Sequence, residues 1–265
     1  MKINGCNALI TGASAGIGRE FARQLASRAR TLVLIARREQ RLNELREELQ
    51  NRSAQLSIQV RVVDLSDKSQ IDELVRWLQE NKIDIDFLIN NAGIGDQGPF
   101  ATIEPGRLNA MIQINITALT LFTRKLLPQM ISQKRGAILN VSSSAGFLPI
   151  PGMAVYAASK AYVNCFSEAL RAELRGTGVR VTALCPGPVH TEFGDVAKRA
   201  GGEPERGPES VYVSVEKTVR DALAAVEADR PLVIPGFVMK IAMFLVRITP
   251  MSILRLAWRF GAKRG

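Results

Sequence analysis

Cysteine is scarce in this 265-residue chain: Cys6, Cys165 and Cys185 stand far apart in apolar surroundings, and no CxxC pair occurs. That spacing excludes a disulfide framework and a cysteine zinc site, and predicts three buried thiols in a reducing compartment. Aromatic side chains are also few, with two Trp and three Tyr. The 35 Lys and Arg residues outnumber the 25 acidic ones and give a net charge of +10, yet they are scattered through helical stretches. Without a basic stripe or interleaved stacking rings, the charge points away from nucleic acid and towards phosphates, acyl carriers or a lipid surface. The first residues lack the long apolar run and cleavage site of a secretory signal, so a cytoplasmic location is expected. Hydrophobic residues are not lacking: at 46% they supply ample material for a core, which excludes a disordered reading.

Apolar runs of strand length alternate with longer amphipathic stretches as far as about residue 235. The pattern predicts strands at 7–11, 31–35, 58–62, 87–90, 137–141, 179–184 and 232–234. Helices are predicted at 17–28, 39–50, 68–79, 107–132, 155–174 and 215–227. The strands show little polar alternation, as expected when helices cover both faces. Strand-helix alternation with short connections implies right-handed βαβ units, hence an α/β fold with an open, doubly wound parallel sheet of about seven strands. No internal repeat or linker divides residues 1–236, which read as one domain. The loose segment 199–210, rich in Gly, Pro and charge, is expected to be a mobile flap over a site.

Directly after the first strand comes Thr11-Gly12-Ala13-Ser14-Ala15-Gly16-Ile17-Gly18, opening a helix. Gly12 permits a tight turn, Gly16 lets backbone approach a ligand, and Gly18 allows close helix packing. The free amides at the helix start then face an anion, in the position where a dinucleotide pyrophosphate binds. A carboxylate ending the second strand would accept from an adenosine ribose hydroxyl, but this strand ends Ile35-Ala36-Arg37-Arg38. Two guanidinium groups would instead clamp a 2′-phosphate, which favours NADP(H) over NAD. A solvated helix start also carrying Arg41 and Arg46 competes with this reading, more for Arg38 than for Arg37. Asp64-Leu65 fits an adenine contact, with capping of the next helix as the alternative.

The second informative stretch joins Ser142-Ser143-Ser144 to Tyr156-Ala157-Ala158-Ser159-Lys160. On a helix, Tyr156 and Lys160 lie one turn apart on the same face. A phenol of ordinary pKa about 10 becomes usable as an acid or base when a positive neighbour stabilises its phenolate. Ser143 supplies a hydroxyl able to hold a carbonyl oxygen. Alternation along an extended segment turns Ser142 and Ser144 away from the site that Ser143 faces.

With these motifs, together with Asn90-Asn91-Ala92-Gly93, Asn115 and Pro186-Gly187, all in order, the chain resembles the short-chain dehydrogenase/reductase family over residues 3–236. The resemblance implies a single Rossmann-type domain, an oxidoreductase activity and a set of roles. Tyr156 is then the catalytic acid or base, Lys160 lowers its pKa and bonds the nicotinamide ribose, and Ser143 polarises the substrate carbonyl. Asn115 orders a water leading to Lys160, its alternative being a helix-interior amide bonded to backbone. Ser14, Ala15 and Ile17 belong to the glycine turn, and Asn91, Ala92 and Gly93 close the strand beside the cofactor, Asn91 and Gly93 towards the adenosine. Pro186, Gly187, Val189 and Thr191 bend around the nicotinamide and pyrophosphate. His190, the one histidine, is expected on an exposed turn. The resemblance also implies a small-molecule carbonyl or alcohol substrate and a homodimer or homotetramer paired through the fourth and fifth helices.

Residues 237–265 depart from that pattern: they are apolar and carry only basic charges. Each half, before and after Pro250, is amphipathic at helical spacing. No uncharged run there approaches the roughly 20 apolar residues needed to span a bilayer. The extension is expected to cover the substrate pocket, to pack on another subunit, or to lie on a membrane surface. The sequence therefore predicts an NADP-dependent reductase of a hydrophobic ketone or 3-oxoacyl compound. A catalytically silent NADP-binding regulator and a membrane-surface lipid ketoreductase are the alternatives. The 94–102 loop, the 147–154 loop and the segment after Thr191 are expected to line the substrate pocket.

Overall fold

The computed structural model describes residues 3–199 and 208–255. Seven strands form one parallel sheet: β1 (Asn7–Thr11), β2 (Thr31–Ala36), β3 (Ser57–Val62), β4 (Phe87–Asn90), β5 (Gly136–Val141), β6 (Val179–Leu184) and β7 (Leu232–Val233). Their order is β3-β2-β1-β4-β5-β6-β7, so the chain reverses its winding direction between β1 and β4. In open α/β sheets that reversal opens a crevice at the carboxyl ends of the strands, where ligands bind.

Two apolar layers hold the sheet between helices. Strand residues alternate between them: Ala8, Ile10, Leu32 and Leu34 face one layer, and Leu9, Val33, Ile35 and Ile138 the other. Helices α1 (Gly16–Leu25), α2 (Glu39–Arg52) and α8 (Val215–Glu227) cover the first layer with Phe21, Leu25, Leu45 and Leu223. The second is covered by α3 (Lys68–Glu80), α5 (Leu119–Ser132) and α6 (Ala154–Glu173), through Leu74, Phe122, Leu126 and Leu170. The expected burial on both faces fails only at the sheet edge, where Arg61 and Val62 of β3 are exposed and the Arg61 guanidinium covers the Trp77 ring at 4.5 Å.

Two expectations require correction, and a third lies largely outside the described residues. The helix predicted at 107–132 begins earlier, as α4 (Pro105–Ile112), because the Glu104 side chain caps it by accepting from the amides of Gly106 and Arg107. It then widens into a π-helical turn, Gln113–Ala118, before α5. Cys165 is exposed, while Cys6 and Cys185 are buried. Of the expected flap, residues 200–207 lie outside the described residues; ahead of them stands the short helix α7 (Phe193–Ala197).

The extension forms α9 (Phe237–Ile248) and resumes helically at 251–255 after Pro250; residues 256–265 lie outside the described residues. Met239 and Met243 of α9 pack on Ala183, Cys185 and Ile234 at the ends of β6 and β7. Among the described residues, no helix is long and apolar enough to cross a membrane.

Candidate active site

Strand β5 ends at the centre of the crevice, and the three serines after it diverge. Ser142 is buried and donates its hydroxyl to the Lys160 carbonyl at 2.9 Å, fastening α6 to the strand. Ser143 opens a tight 3-10 turn, its Oγ accepting from the Ala145 amide at 3.1 Å. The Ser144 amide donates to the Pro186 carbonyl at 2.8 Å, which brings the loop after β6 alongside. A buried polar chain deepens the same junction: Asn90 donates to Asn140 at 2.9 Å, and Asn140 to Ser167 of α6 at 3.0 Å.

Tyr156 and Lys160 stand one turn apart on α6 and are both buried, at 7% and 4% exposure. Lys160 Nζ donates to the Val141 carbonyl at 2.9 Å and lies 5.8 Å from the centre of the Tyr156 ring. Burial, not the ammonium, governs the phenol: it pushes Tyr156 up to about 12, the Ser143 hydroxyl pulling the other way. Burial likewise brings the Lys160 amine down to about 8. Loss of water disfavours the charged form of each group and outweighs the acidification of the phenol expected from its neighbour.

Asn115 sits in the π-helical turn, almost fully buried. Its Oδ1 accepts from the Ile94 amide at 3.0 Å, and its Nδ2 donates to the Ile94 carbonyl at 2.9 Å and to Ser159 Oγ at 3.0 Å. Ser159 in turn donates to the Tyr156 carbonyl at 2.7 Å, so Asn115 is linked to the backbone of the tyrosine. π-Helical turns occur frequently at functional sites because the extra residue re-aims a side chain. A Cβ built on Gly93 would lie 3.2 Å from Lys160 Nζ and 3.3 Å from Asn115 Oδ1. Gly93 thus lies against Lys160 and Asn115.

At the other end, Gly12 and Gly16 have φ of +67° and +50°, the left-handed region that glycine tolerates. A Cβ on Gly18 would fall 2.3 Å from the Gly12 carbonyl oxygen, so the turn closes only with glycine there. Asn91 spends its amide on the Thr11 carbonyl at 2.8 Å, and the Ala92 amide donates to Thr11 Oγ1 at 2.9 Å; both hold β4 against the turn. Thr191 lies over Gly16. The two arginines turn to different partners. Arg38 reaches the turn, donating from Nε to Ser14 Oγ at 3.3 Å, whereas Arg37 acts on Asp64. Burial pulls the Asp64 carboxyl up, but bonds from the Ser66 amide and hydroxyl, helped by Arg37, hold it below its ordinary value. The alternative role for Asp64 falls away, since Asp67 caps α3.

Several residues without a motif complete the site. Glu192 accepts from Arg38 at 2.8 Å and from Arg41 at 2.5 Å, a carboxylate seated between two guanidinium groups. The Phe193 ring lies 5.4 Å from that of Tyr156. Ile94, Ile103, Met111, Ile150 and Met153 join them in one apolar cluster. The expected lining loops do meet: the Gln97 amide donates to the Ala197 carbonyl at 3.0 Å, and the Gly98 amide to the Gly152 carbonyl at 2.9 Å. Buried Asp96 fastens this rim by ion pairs to Arg107 at 2.9 Å and Arg199 at 2.5 Å. The adjacency of Glu192 and Phe193 to Thr191 was the only sequence signal for them. His190 is on the exposed turn, bonded to Glu209 at 2.8 Å and stacked on Tyr212. A recess of about 1010 Å³ at the opposite ends of the strands, lined by Arg135, Arg171, Arg180 and Asp229, holds none of these residues.

A family model described as short chain dehydrogenase matches residues 6–200. The chain belongs to the short-chain dehydrogenase family. It is 41% identical over 197 residues to sulfoacetaldehyde reductase 2 of Chromohalobacter salexigens, spanning 74% of this chain and 76% of that protein. The short-chain dehydrogenase of Sphingobium yanoikuyae, solved in complex with NADPH, superposes with a TM-score of 0.80 at 32% identity, over 88% of both chains. The bulky-bulky ketone specific alcohol dehydrogenase of Comamonas testosteroni does so at 0.76 and 28% identity, over 98% of this chain and 93% of that one. Other similar solved members hold NADP, and one from Burkholderia phymatum holds NAD.

Proposed function

We propose that this member of the family is an NADP-dependent oxidoreductase that reduces the carbonyl of an apolar substrate to an alcohol. The observation that carries the reading is the buried Tyr156, with Ser143, Lys160 and the apolar cluster converging on it at the strand tips. The dinucleotide fits the remainder of the crevice: the glycine turn presents helix amides, and Arg38 and Arg41 already hold an anionic group, the carboxylate of Glu192. NADPH held there would supply the hydride. Arg38, Arg41 and Ser14 would take its 2′-phosphate, Gly12 and Gly16 through Gly18 with Thr191 its pyrophosphate, and Asp64 its adenine. Lys160 would bond its ribose, and Pro186, Gly187 and Val189 would border the nicotinamide.

Ser143 would hold the substrate carbonyl, while Tyr156, protonated throughout the neutral range, gives its proton to the developing alkoxide. The Lys160 ammonium, 5.8 Å from the ring, would stabilise the phenolate left behind. Asn115 is a positioning residue that acts through Ile94 and Ser159. The substrate side is apolar, with Phe193, Met111, Ile150 and Met153 around the tyrosine, which favours a hydrophobic ketone over a small anionic aldehyde. Pairing of subunits would use the α5–α6 face, where Ile131 and Tyr162 are exposed.

The test follows NADPH consumption with a panel of aliphatic and aryl ketones beside a short sulfonated aldehyde. The ketones are expected to turn over faster, and Tyr156→Phe to cut the rate by about 10²–10⁴-fold while NADPH binding persists. Unchanged turnover in that variant would overturn the mechanism; preference for the sulfonated aldehyde would overturn the substrate class.

A further inference from the structure

Helix α9 is apolar on two opposite faces. Met239, Ala242, Met243 and Val246 face the domain. Phe237, Ile241, Phe244 and Ile248, spaced i, i+4, i+7 and i+11, lie on the opposite side and are 78%, 46%, 62% and 61% exposed. Beyond Pro250, Met251 and Ile253 extend the exposed apolar surface. A helix that is hydrophobic all round is ordinarily buried, so the outer face calls for an occupant.

Charge selects the occupant. From Phe237 to Gly265 the sequence contains Lys and Arg but no Asp or Glu. Lys240, Arg247 and Arg255 are exposed around the apolar stripe. A second copy docked through the same face would bring these like charges together, because a two-fold interface repeats each patch on itself. Anionic lipid headgroups complement them, and an apolar stripe flanked by Lys and Arg suits a helix lying in the membrane interface.

We propose that the outer face of α9 is a docking surface for an anionic lipid bilayer, with the helix lying in the plane of the headgroups. Its inner face forms part of the crevice wall. A Cβ on Gly187 would lie 2.5 Å from the Met239 methyl group, and the Arg247 guanidinium is 5.8 Å from the centre of the Phe147 ring, in the loop that follows Ser143. On the functional reading given above, an apolar carbonyl compound dissolved in the bilayer meets the crevice beside its docking helix. The surface itself does not depend on that reading.

The experiment sediments the full chain with vesicles of phosphatidylcholine alone or mixed with phosphatidylglycerol. Binding to the mixed vesicles is expected, at least tenfold weaker with phosphatidylcholine alone, and weakened at high ionic strength. The double variant Phe244→Glu and Ile248→Glu, both at exposed positions, is expected to lose binding at least tenfold with an unchanged melting temperature. Should that variant fold poorly, Lys240→Gln with Arg247→Gln serves instead and is expected to weaken binding to the phosphatidylglycerol vesicles alone. Absence of wild-type binding would overturn the proposal, as would unaffected binding by the variants. A wild-type oligomer that the Glu variant splits into monomers would overturn it in favour of self-association. Because the readout is lipid binding, failure here leaves the reductase reading intact, and an inactive enzyme leaves this one intact.

Discussion

Arg38 donates to the Glu192 carboxylate at 2.8 Å, joining the end of β2 to the segment that follows Thr191. Glu192 therefore competes with any phosphate for the same guanidinium group. The pair is half-exposed, so its net worth is small. Replacing Glu192 with Gln is expected to tighten NADPH binding up to about fivefold and to leave NADH binding unchanged, read by cofactor fluorescence titration. Arg38→Asp is expected to abolish the preference for NADPH, and Arg37→Asp to affect it less.

The Lys160 amine, brought down to about 8 by burial, is charged below that pH and neutral above it. Tyr156, pushed up to about 12, keeps its proton across the same range. If the ammonium supports ribose binding and the phenolate, kcat/KM for reduction is level below about pH 8 and falls roughly tenfold per unit above it. Lys160→Arg, which stays charged, is expected to be slower but to lack the step.

Thiol chemistry gives an independent check on the fold. Cys165 is exposed, whereas burial drives both Cys6 and Cys185 up to about 12 and keeps reagents from them. At most one thiol per chain, Cys165, is expected to react with an aromatic disulfide reagent in native protein, none where pairing over the α5–α6 face covers it, and three after denaturation. Cys165→Ser is expected to remove the native reaction.

Gly93→Ala places a methyl group between Lys160 Nζ and Asn115 Oδ1, at 3.2 and 3.3 Å. The backbone there needs no left-handed conformation, so the fold is expected to survive with a loss within about 1–3 kcal/mol by thermal or denaturant melting. Turnover is expected to fall by more than tenfold, because the gap between the amine and the amide is closed. A variant as active as wild type would show that the gap plays no part in catalysis.

The sheet was legible because each strand is a compact apolar run between turn residues, and β1, β4 and β6 begin and end where that pattern places them. The division of helix 105–132 was not, since a π-helical turn is one surplus residue and leaves no mark in composition. Cys165 was misjudged from its apolar neighbours. On the helical repeat that buries Tyr156, Lys160, Val163 and Ser167, it falls on the outer face. Arg37 and Arg38 could be placed at the strand end, but which one turns towards Ser14 depends on the geometry of a non-regular junction. Glu192 was invisible for another reason: its partners lie more than 150 positions away in sequence, and ion pairs of that reach follow from loop packing.

The surplus residue in the π-helical turn also bears on how this chain tolerates change in length. A one-residue deletion within an ordinary helix shears its hydrogen-bond ladder. Within Gln113–Ala118 it would instead restore the regular ladder, since the turn already holds one residue more than that ladder needs. The same deletion would swing Asn115 by about 100° away from Ile94 and Ser159. On the role proposed for Asn115, length variation at this point separates folding from chemistry: the shorter chain is expected to be the more regular protein and the poorer catalyst.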